Sequence, residues 1–595
     1  MNVFHLLSTR RARVAASHEI DPEDVFLDSQ NLSSFNVDQM EGQLERPIGK
    51  HMFYIAVILS LLLLVGFSYR LFAMQVIHFD EYKKQANTNH LKTIPIFALR
   101  GTISDRKGAI LAWNSLYSNG TTSSLFTATT TSSTTIEQTK KETKTKADDD
   151  IPKRVYTTTA GFSHLLGYVS YPKRDQSGVF WQDEYIGKDG VEKQYQSTLA
   201  GVQGERIIEV TALHQVEAQN VVVYPTHGGN ISLTIDKDVQ AKLYERIEAL
   251  AHRVGFTGGA GVIMDVRTGE ILALASYPEY NNNLMTNAIS KEEKSMIGSD
   301  LLDKRRKFLN RAVSGLFTPG STVKPFFAYA ALAENVITPE QAIFSSGQIV
   351  IKNKYDGPDT VFKDWKAHGY VDMRNAIAQS SDEYFYQIGG GYKEQKGLGI
   401  ARLDTYAELF GFGTTTGIDL PAEGYGLVPS PDWKQKVFDE DWLLGDTYHS
   451  AIGQYGFQLT PLELVRGVAA LANGGYLVTP HILIGTTSAS SSINLDSKKL
   501  KVIQEGMSLA VNGAEGTARG LHIEGVDVAG KSGTAELGVS KDLVNSWISG
   551  YFPANNPKYA FVVIMEKGGR HNPFGAVVAM KELLEYMRDN TDYTK

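Results

Sequence analysis

The sequence predicts an α+β protein whose main domain is an antiparallel sheet covered by helices. Residues 260–276 alternate as strand, turn and strand, and an apolar run at helical spacing follows at residues 326–332. Strands first, helices packed between them and strands again are typical of an α+β layout. The last three strands and the helix that closes the domain are expected at residues 526–531, 546–551, 559–565 and 577–587.

Composition limits the classes of function. The chain has 595 residues, of which 42% are hydrophobic and 21% charged, so it is long enough for several domains with hydrophobic cores. A net charge of −7 gives no indication of nucleic-acid binding. The absence of cysteine excludes disulfides, thiol catalysis and cysteine-ligated zinc. Histidines such as His368 and His449 lack metal-ligand spacing, so we expect them to be structural, and we expect no metal or cofactor.

The N-terminal part of the chain has a polar tail followed by a long apolar run. Residues 1–51 include an acidic stretch without Lys or Arg, and we expect a disordered tail. Residues 52–69 carry no charge and residues 71–77 are mostly apolar, a length that spans a bilayer. We therefore predict one transmembrane helix over residues 52–77, with a buried core helix as the alternative. Basic residues flank the run on both sides, so charge indicates its orientation only weakly.

Residues 78–235 precede the main domain, which we place at residues 236–595. They contain strand patterns and one low-complexity segment, residues 115–150, that is rich in Thr and Ser, then in Lys, and ends in three aspartates. Such a composition is typical of a flexible loop without chemistry. A helix over residues 239–251 is expected to begin the main domain.

A Ser/Lys pair opens the apolar helix. Ser321 follows a Pro-Gly turn, and Pro325 falls within the first helical turn, where its missing N–H costs little. Ser321 would therefore lie at a helix N-terminus, with Lys324 on the same face and close enough to reach its hydroxyl. Such a pair makes a serine nucleophilic without histidine. The pattern S-x-x-K occurs three times in the chain, and only this copy opens a long apolar helix.

Two further motifs accompany this pair downstream, Ser380-Ser381-Asp382 and Lys531-Ser532-Gly533-Thr534. The three motifs together resemble the S-x-x-K, S-D-N and K-T-G set of β-lactamases and penicillin-binding proteins. From about residue 52 to the C-terminus, the chain resembles the monofunctional class B penicillin-binding proteins, and in its S-x-D motif the elongation-type penicillin-binding protein 2 branch. The supporting segments are R-G-x-I-x-D-R-x-G at residues 100–108, G-K-x-G-x-E at residues 187–192 and G-E-I-L-A at residues 269–273.

The resemblance implies a bacterial membrane protein of four parts with an extracytoplasmic catalytic domain. The usual head-like insertion of such proteins is here reduced to the Thr/Ser-rich loop. The four parts are a cytoplasmic tail at residues 1–51, a single transmembrane helix at residues 52–77, a mixed α/β pedestal (dimerisation-like) domain at residues 78–235, and a penicillin-recognising transpeptidase domain at residues 236–595.

The implied activity is peptidoglycan D,D-transpeptidation in cell wall synthesis. Ser321 would attack the penultimate D-Ala of a stem peptide and form an acyl-enzyme, with Lys324 as the base. Lys324 must then be neutral, which burial and a nearby Lys531 would favour. By the same resemblance, Ser380 would relay a proton, and Asp382 would hydrogen-bond the lysines.

The K-S-G-T segment would bind the substrate. Lys531 would be a cation for a carboxylate, beside the hydroxyls and backbone of Ser532, Gly533 and Thr534. The Thr534 N–H would complete an oxyanion hole with that of Ser321.

The sequence departs from the family pattern at two positions. Asp382 stands where Asn is usual, and a carboxylate there could pair with Lys324 or Lys531, which complicates the role of the lysine as a base. Tyr455 replaces the second glycine of the family's G-Q-G turn, a segment that we expect to have a packing role.

Three alternatives remain open. A D,D-carboxypeptidase or β-lactamase-like hydrolase would transfer the acyl group to water, and a non-catalytic β-lactam sensor would keep the fold without turnover. Residues 525–532 also match the P-loop pattern G-x-x-x-x-G-K-[ST], which would make the chain a nucleotide-binding protein. The alternation of residues 526–529 favours a strand, whereas a P-loop needs a turn of exposed N–H groups.

The resemblance also implies the partners. The substrates would be stem peptides on lipid-linked precursor strands, and β-lactam antibiotics would bind in their place. Membrane lipid would surround the apolar helix. No glycosyltransferase domain precedes residue 236, so a membrane glycosyltransferase of the SEDS type would supply the glycan.

Overall fold

The computed structural model describes residues 50–118, 121–123, 151–175, 180–210, 216–353 and 357–595. Contacts among these residues define two compact units, and the larger one holds Thr93–Glu209 and Val216–Lys595. The smaller unit contains the described residues before Thr93 and Val210. Residues 1–49 of the expected tail and most of the Thr/Ser-rich loop lie outside the described residues, while Lys50 and His51 belong to the first helix.

Among the described residues, the strands form two five-stranded sheets, one three-stranded sheet and five two-stranded ribbons. In chain order the strands are β1 (Leu91–Ile96), β2 (Ile103–Ser104), β3 (Ile110–Ser118), β4 (Thr121–Ser123), β5 (Lys153–Tyr156), β6 (Val169–Ser170), β7 (Lys173–Arg174), β8 (Phe180–Gln182), β9 (Ile186–Gly187), β10 (Gly204–Val210), β11 (Val216–Val223), β12 (Ile231–Ser232), β13 (Gly258–Asp265), β14 (Ile271–Tyr277), β15 (Ile343–Ser345), β16 (Gln348–Ile351), β17 (Thr360–Lys363), β18 (Gly369–Val371), β19 (Tyr476–Val478), β20 (Ser490–Ser492), β21 (Ala529–Leu537), β22 (Leu543–Phe552) and β23 (Tyr559–Gly569).

The predicted loop at residues 115–150 was wrong at its start. Residues 115–118 belong to β3 and residues 121–123 form β4, which pairs with it in antiparallel register. The ladder of β3 therefore continues past the point where the composition turns to Thr and Ser.

Helices cover the sheets and connect their strands. In chain order they are α1 (Lys50–Phe72), α2 (Phe79–His90), α3 (Ser163–Leu166), α4 (Gly190–Gln194), α5 (Gln196–Leu199), α6 (Lys237–Val254), α7 (Asn282–Asn287), α8 (Lys291–Leu301), α9 (Lys324–Ala333), α10 (Met373–Gln379), α11 (Asp382–Gly390), α12 (Ile400–Leu409), α13 (Pro431–Phe438), α14 (Leu444–Ala451), α15 (Pro461–Asn473), α16 (Ser497–Asn512) and α17 (Ala576–Asn590). The helices predicted at residues 239–251 and 577–587 are α6 and α17.

The smaller unit is built on an apolar helix. α1 continues through a π-helical turn, Ala73–Ile77, and α2 follows. The segment His51–Ile77 has a mean hydropathy of 2.3, and its apolar window is not buried inside the protein. Its 27 residues are long enough to cross a bilayer. It is the one candidate membrane span within the described part of the chain.

The predicted antiparallel sheet covered by helices is confirmed in the C-terminal half. Its strand order is β14-β13-β23-β22-β21, and each neighbouring pair is antiparallel. α6 and α17 pack on one face and α15 on the other. β13 and β14 are buried along their whole length, as expected between two helical layers. β21 is an edge strand and begins later than predicted, because Ile523 and Val526 close a turn before it.

Two sequence motifs meet in the pedestal domain as a buried charge cluster. Arg100 and Arg154 pair with opposite oxygens of the Glu192 carboxylate, and Arg154 Nε lies 2.7 Å from Glu192 Oε1. Arg100 Nη2 also donates to Gln196 Oε1 at 2.9 Å. Burial by itself raises the pKa of Glu192, but the two guanidinium groups outweigh burial and hold this pKa below its ordinary value. The motif residues therefore join separate segments of the pedestal domain.

A tight turn links the pedestal domain to the main sheet. The Asp105 carboxylate caps this turn and also accepts the backbone N–H of Lys237 at 3.1 Å, where α6 begins. Arg106 pairs with Glu270 at 2.8 Å beside β14. One cluster of buried apolar residues runs from Ile103 of the pedestal domain to α9 of the main domain. The two domains therefore share a hydrophobic core.

We expect Glu192→Gln to destabilise the protein strongly, because it leaves two buried guanidinium groups without a counter-charge. Removing one partner of a buried ion pair costs about 3–5 kcal/mol. The free energy of unfolding should fall by about this amount, and the denaturant midpoint of unfolding should fall with it. Glu184→Gln, at an exposed position, is the matched control and should leave the midpoint unchanged. Equal midpoints for the two variants would show that the cluster does not stabilise the fold.

Candidate active site

Ser321 lies in a short 3₁₀ turn, Gly320–Val323, that leads directly into α9. The sequence predicted an α-helical N-terminus here, and the structure places the serine just before the α-helix instead. Gly320 has a φ of 54°, and its N–H donates to the carbonyl of Gly453 at 3.0 Å. A Cβ at Gly320 would lie 2.8 Å from the carbonyl oxygen of Thr534. Only glycine therefore lets this turn lie between β21 and the segment after α14.

Lys324 is completely buried and faces α11. Its Nζ donates to Asp382 Oδ1 at 2.6 Å, to the Ser380 carbonyl at 2.8 Å and to Ser380 Oγ at 3.3 Å. The ammonium also lies 5.2 Å from the centre of the Phe385 ring. Within the described residues, no hydrogen bond joins Lys324 to Ser321 Oγ. The direct Ser321–Lys324 contact therefore stays a prediction.

Ser380 lies in the joint between α10 and α11, in the left-handed conformation with a φ of 57°. Its hydroxyl oxygen accepts hydrogen bonds from both lysines, at 2.8 Å from Lys531 Nζ and at 3.3 Å from Lys324 Nζ. The ordinary helix-capping role of serine belongs to its neighbour, since Ser381 Oγ accepts the backbone N–H of Tyr384. Ser380 is thus held as a bridge between two amines.

Lys531 lies in edge strand β21 and is also completely buried. Besides Ser380, its Nζ donates to the carbonyl of Ser532 at 2.7 Å. Burial, together with the charge of Lys324, holds the pKa of Lys531 well below its ordinary value, although Asp382 acts in the opposite direction. The sequence suggested that Lys531 offers a cation for a carboxylate, whereas its surroundings favour the neutral amine.

Asp382 is the first residue of α11 and pairs with Lys324. Burial, together with the charge of Asp364, holds the pKa of Asp382 above its ordinary value, although the charges of Lys324 and Lys531 lower it. The Asp382 carboxylate is the anion in contact with Lys324. Asp382 is therefore a counter-charge for an ammonium at Lys324, next to a Lys531 whose neutral form is favoured.

The K-S-G-T segment lies along the serine turn. A Cβ at Gly533 would be 2.7 Å from Thr322 Cγ2, so glycine is needed for this approach. Ser532 Oγ donates to Thr517 Oγ1 at 2.8 Å, and Thr534 is exposed. Alternate N–H groups of an edge strand point away from its neighbour, and the first N–H groups of a helical turn have no partner inside the turn. The oxyanion hole formed by the N–H groups of Thr534 and Ser321 stays a prediction.

Sequence reasoning missed the supports of the S-x-D motif. Asp364 Oδ2 accepts hydrogen bonds from Ser381 Oγ at 2.9 Å and from the N–H of Glu383 at 2.8 Å. Trp365 Nε1 donates to the Ser380 carbonyl at 3.3 Å. Both supports come from the irregular segment between β17 and β18, which carries no periodic pattern or motif that could have identified them.

Two expectations about other residues have clear outcomes. Lys531 and Ser532 lie inside a strand of nine residues with no helix beginning at them, so the P-loop alternative was wrong.

His368 makes contacts with Gln379 Oε1 at 3.1 Å and Asp364 Oδ1 at 3.4 Å, which is the structural role we expected.

Tyr455 occupies a backbone conformation that explains the glycine usual in the family. Its φ is 57°, in the left-handed region that favours glycine. The Tyr455 ring makes edge contacts with Trp433 and Trp442, with 5.9 Å between ring centres in both cases. Lys434 Nζ lies 5.8 Å from the centre of the same ring. These contacts stabilise the tyrosine in a turn whose backbone conformation by itself favours glycine.

Two family models match the chain. The penicillin binding protein transpeptidase domain matches residues 259–583, which are more than half of the chain. The penicillin-binding protein dimerisation domain matches residues 125–233.

Known proteins resemble the chain over most of its length. The peptidoglycan D,D-transpeptidase MrdA of Haemophilus influenzae is 30% identical, and the match covers 93% of this chain and 94% of the relative. The complex between PBP2 and MreC from Helicobacter pylori contains a chain that is 28% identical, with a TM-score of 0.66, over 84% of this chain and 99% of that one. A chain from a solved structure described as "Structural coordination of polymerization and crosslinking by a peptidoglycan synthase complex" is 27% identical. It matches with a TM-score of 0.66 over 91% of this chain and 99% of that one.

The family models, the relatives and the three assembled motifs agree with one another. This chain belongs to the penicillin-binding protein transpeptidases, in the penicillin-binding protein 2 group.

Proposed function

We propose that this peptidoglycan D,D-transpeptidase works through an acyl-enzyme on Ser321. The observation that carries the proposal is the buried cluster of Lys324, Asp382, Ser380 and Lys531 beside the serine turn. Ser321 Oγ attacks the carbonyl carbon of the penultimate D-Ala of a stem peptide, and the terminal D-Ala leaves with a proton. An amine of a neighbouring stem then attacks the ester and forms the cross-link.

The cluster supports a proton relay that ends at Lys531. Lys324 is the base for Ser321, but in the resting site it is paired with Asp382. Both lysines donate to Ser380 Oγ, so a proton can pass from Lys324 through this hydroxyl to the neutral amine of Lys531. Lys324 then takes the proton of Ser321 as the Oγ–C bond forms, and the relay runs backwards when the leaving amine is protonated.

The edge of β21 supports substrate binding and charge stabilisation. The N–H groups of Ser321 and Thr534 stabilise the oxyanion of the tetrahedral intermediate. The hydroxyls of Ser532 and Thr534 and the backbone of Gly533 orient the stem peptide. A preorganised donor of this kind contributes about 10²–10³-fold to the rate.

We expect Asp382→Asn to move the acid limb of the acylation rate to lower pH. Acylation needs a neutral Lys531, whose neutral fraction grows as pH rises through its pKa. Burial lowers that pKa and the Asp382 carboxylate raises it, so removal of the carboxylate lowers it further. The rate of acylation by a fluorescent penicillin, measured against pH, checks the direction of the shift.

Asp372→Asn is the matched control for this experiment. Asp372 caps α10 through a hydrogen bond to the N–H of Asn375, and asparagine caps a helix equally well. This variant should keep the wild-type pH profile. If Asp382→Asn also keeps it, Asp382 only begins a helix and takes no part in the relay.

We expect penicillin to form a stable ester on Ser321, because a β-lactam resembles D-Ala-D-Ala and its ring-opened product blocks the incoming amine. Mass spectrometry of a proteolytic digest should find the adduct on the peptide that contains Ser321. Ser321→Ala should keep the unfolding midpoint of the wild type and remain unlabelled. An adduct on any other serine would contradict the assignment of the nucleophile.

The chain is membrane-anchored, and we propose that its catalytic domain faces away from the cytoplasm. We also propose that it pairs with a membrane glycosyltransferase of the SEDS type. Support comes from the apolar segment His51–Ile77 and from the resemblance to solved assemblies of PBP2 with MreC and of a peptidoglycan synthase. The pedestal domain and the membrane helix are the surfaces proposed to make this contact.

We expect co-purification with such a glycosyltransferase in detergent to depend on the membrane helix. Replacing residues 52–69 with an unrelated membrane-spanning helix should lower the recovery of the partner, because the contacts in the lipid are lost. Deleting residues 120–146 is the control and should leave recovery unchanged. Equal recovery with the replaced helix, or a loss caused only by the deletion, would contradict the proposed contact surfaces.

A further inference from the structure

His449 lies on the helix that packs against the helix of Asp382, although the sequence suggested only a structural role for it. It belongs to the last turn of α14, which packs against α11. Four residues later the Gly453 carbonyl accepts the N–H of Gly320, the neighbour of Ser321. The helix that carries His449 is therefore connected to both the serine turn and the helix of Asp382.

The His449 ring packs between aromatic side chains and keeps its nitrogens free. Its centre lies 5.5 Å from that of Phe362 and 6.4 Å from that of Tyr386, which is one helical turn after Asp382 on α11. The residue is half-buried, and within the described part of the chain neither ring nitrogen makes a hydrogen bond. His368, by contrast, has partners for both nitrogens. One nitrogen of a neutral His449 is thus an unoccupied proton acceptor.

Charged groups from every neighbouring element act on this imidazole. Burial and the positive Lys541 of the β21–β22 hairpin lower the pKa of His449. Asp446 of its own helix, Asp382 of α11 and Glu536 of β21 raise it, but less strongly. β17 contributes the apolar ring of Phe362, and its one charged residue, Lys363, is exposed. Since the ordinary pKa of histidine is about 6.5, His449 is neutral at pH 7.

The second half of the reaction requires a proton acceptor of this kind. Aliphatic amines have pKa values of about 8–10, so the acceptor stem arrives as an ammonium ion at pH 7. An ammonium has no lone pair, and one proton must leave before the amine can attack. The relay of Lys324, Ser380 and Lys531 returns to its resting state when D-Ala departs, and it is then needed to give Ser321 Oγ its proton back. The proton of the ammonium therefore needs another acceptor that is open to solvent.

We propose that His449 takes this proton from the acceptor ammonium, an inference that rests on the proposed acyl-enzyme on Ser321. One N–H bond of the ammonium breaks, and the proton binds the free ring nitrogen. The amine lone pair then attacks the ester carbon, the bond from that carbon to Ser321 Oγ breaks, and a second amine proton reaches Oγ through Lys324. The imidazolium releases its proton to solvent, which offsets the proton that the departed D-Ala amine binds at pH 7.

The test is a single-turnover transfer from a preformed acyl-enzyme. The full-length protein in detergent is acylated with a D-alanyl thioester, whose leaving group is a thiol and cannot compete as an amine. A D-amino acid is then added as the acceptor, and the rate of amide formation is measured between pH 6 and pH 9. General base catalysis contributes about 10²–10⁴-fold, so His449→Gln should slow transfer about 100-fold at pH 7.

The pH dependence separates proton transfer from a packing role. In the wild type, transfer should be nearly independent of pH between the pKa values of His449 and of the acceptor. In His449→Gln only the free amine reacts, so the deficit should shrink about tenfold for each pH unit until the pKa of the amine is reached. A deficit that is equal at every pH would assign His449 to packing and overturn the proposal.

His252→Gln is the matched control, since His252 is on α6 and its ring contacts Tyr277 away from the serine turn. This variant should transfer at the wild-type rate. If the acyl-enzyme forms and His449→Gln also transfers at the wild-type rate, His449 is not the acceptor. If no acyl-enzyme forms on Ser321 in the wild type, the proposed function fails instead, so the two failures are distinguishable.

Discussion

The active site depends on the burial of two lysines around one serine hydroxyl. Lys324 and Lys531 both donate to Ser380 Oγ, and both side chains are removed from water. Two buried ammonium groups that contact the same hydroxyl repel each other, so one of them tends to lose its proton. The Asp382 carboxylate contacts Lys324 and leaves Lys531 as the amine whose neutral form is favoured. The arrangement exists only because α9, α11 and β21 meet at this point.

Local patterns predicted the elements of the fold, since hydrophobic periodicity marks a strand or helix over a few residues. They also predicted the motif residues, because Ser321 and Lys531 stand in short recognisable strings. The protonation of Lys531 could not be predicted in this way. It results from burial and from Lys324, which is far away in the sequence. Asp364 and His449 were missed for the same reason. Their contacts join elements that are distant in the sequence, and such contacts leave no local sequence pattern.

The two departures from the family pattern differ in kind. Asp382 changes the charge of the site, because a carboxylate can hold a lysine in its charged form where an amide would only accept a hydrogen bond. Tyr455 changes the conformational energy of a turn. A residue other than glycine with a φ of 57° has a strained backbone that costs about 1–3 kcal/mol, and it persists only where its surroundings hold it. Its aromatic neighbours supply that support. The first departure therefore concerns chemistry and the second concerns packing.

The hydrophobic core shared by the pedestal and main domains has a consequence for dividing the protein into fragments. Leu199 and Leu233 lie before residue 236, and both side chains are fully buried in the cluster that reaches α9. Cutting the chain at residue 236 would leave their apolar contacts open to water and would make the released piece prone to aggregate. A soluble enzyme for crystallisation or inhibitor screening should therefore begin near Thr93, where the larger compact unit begins, and keep the pedestal domain intact.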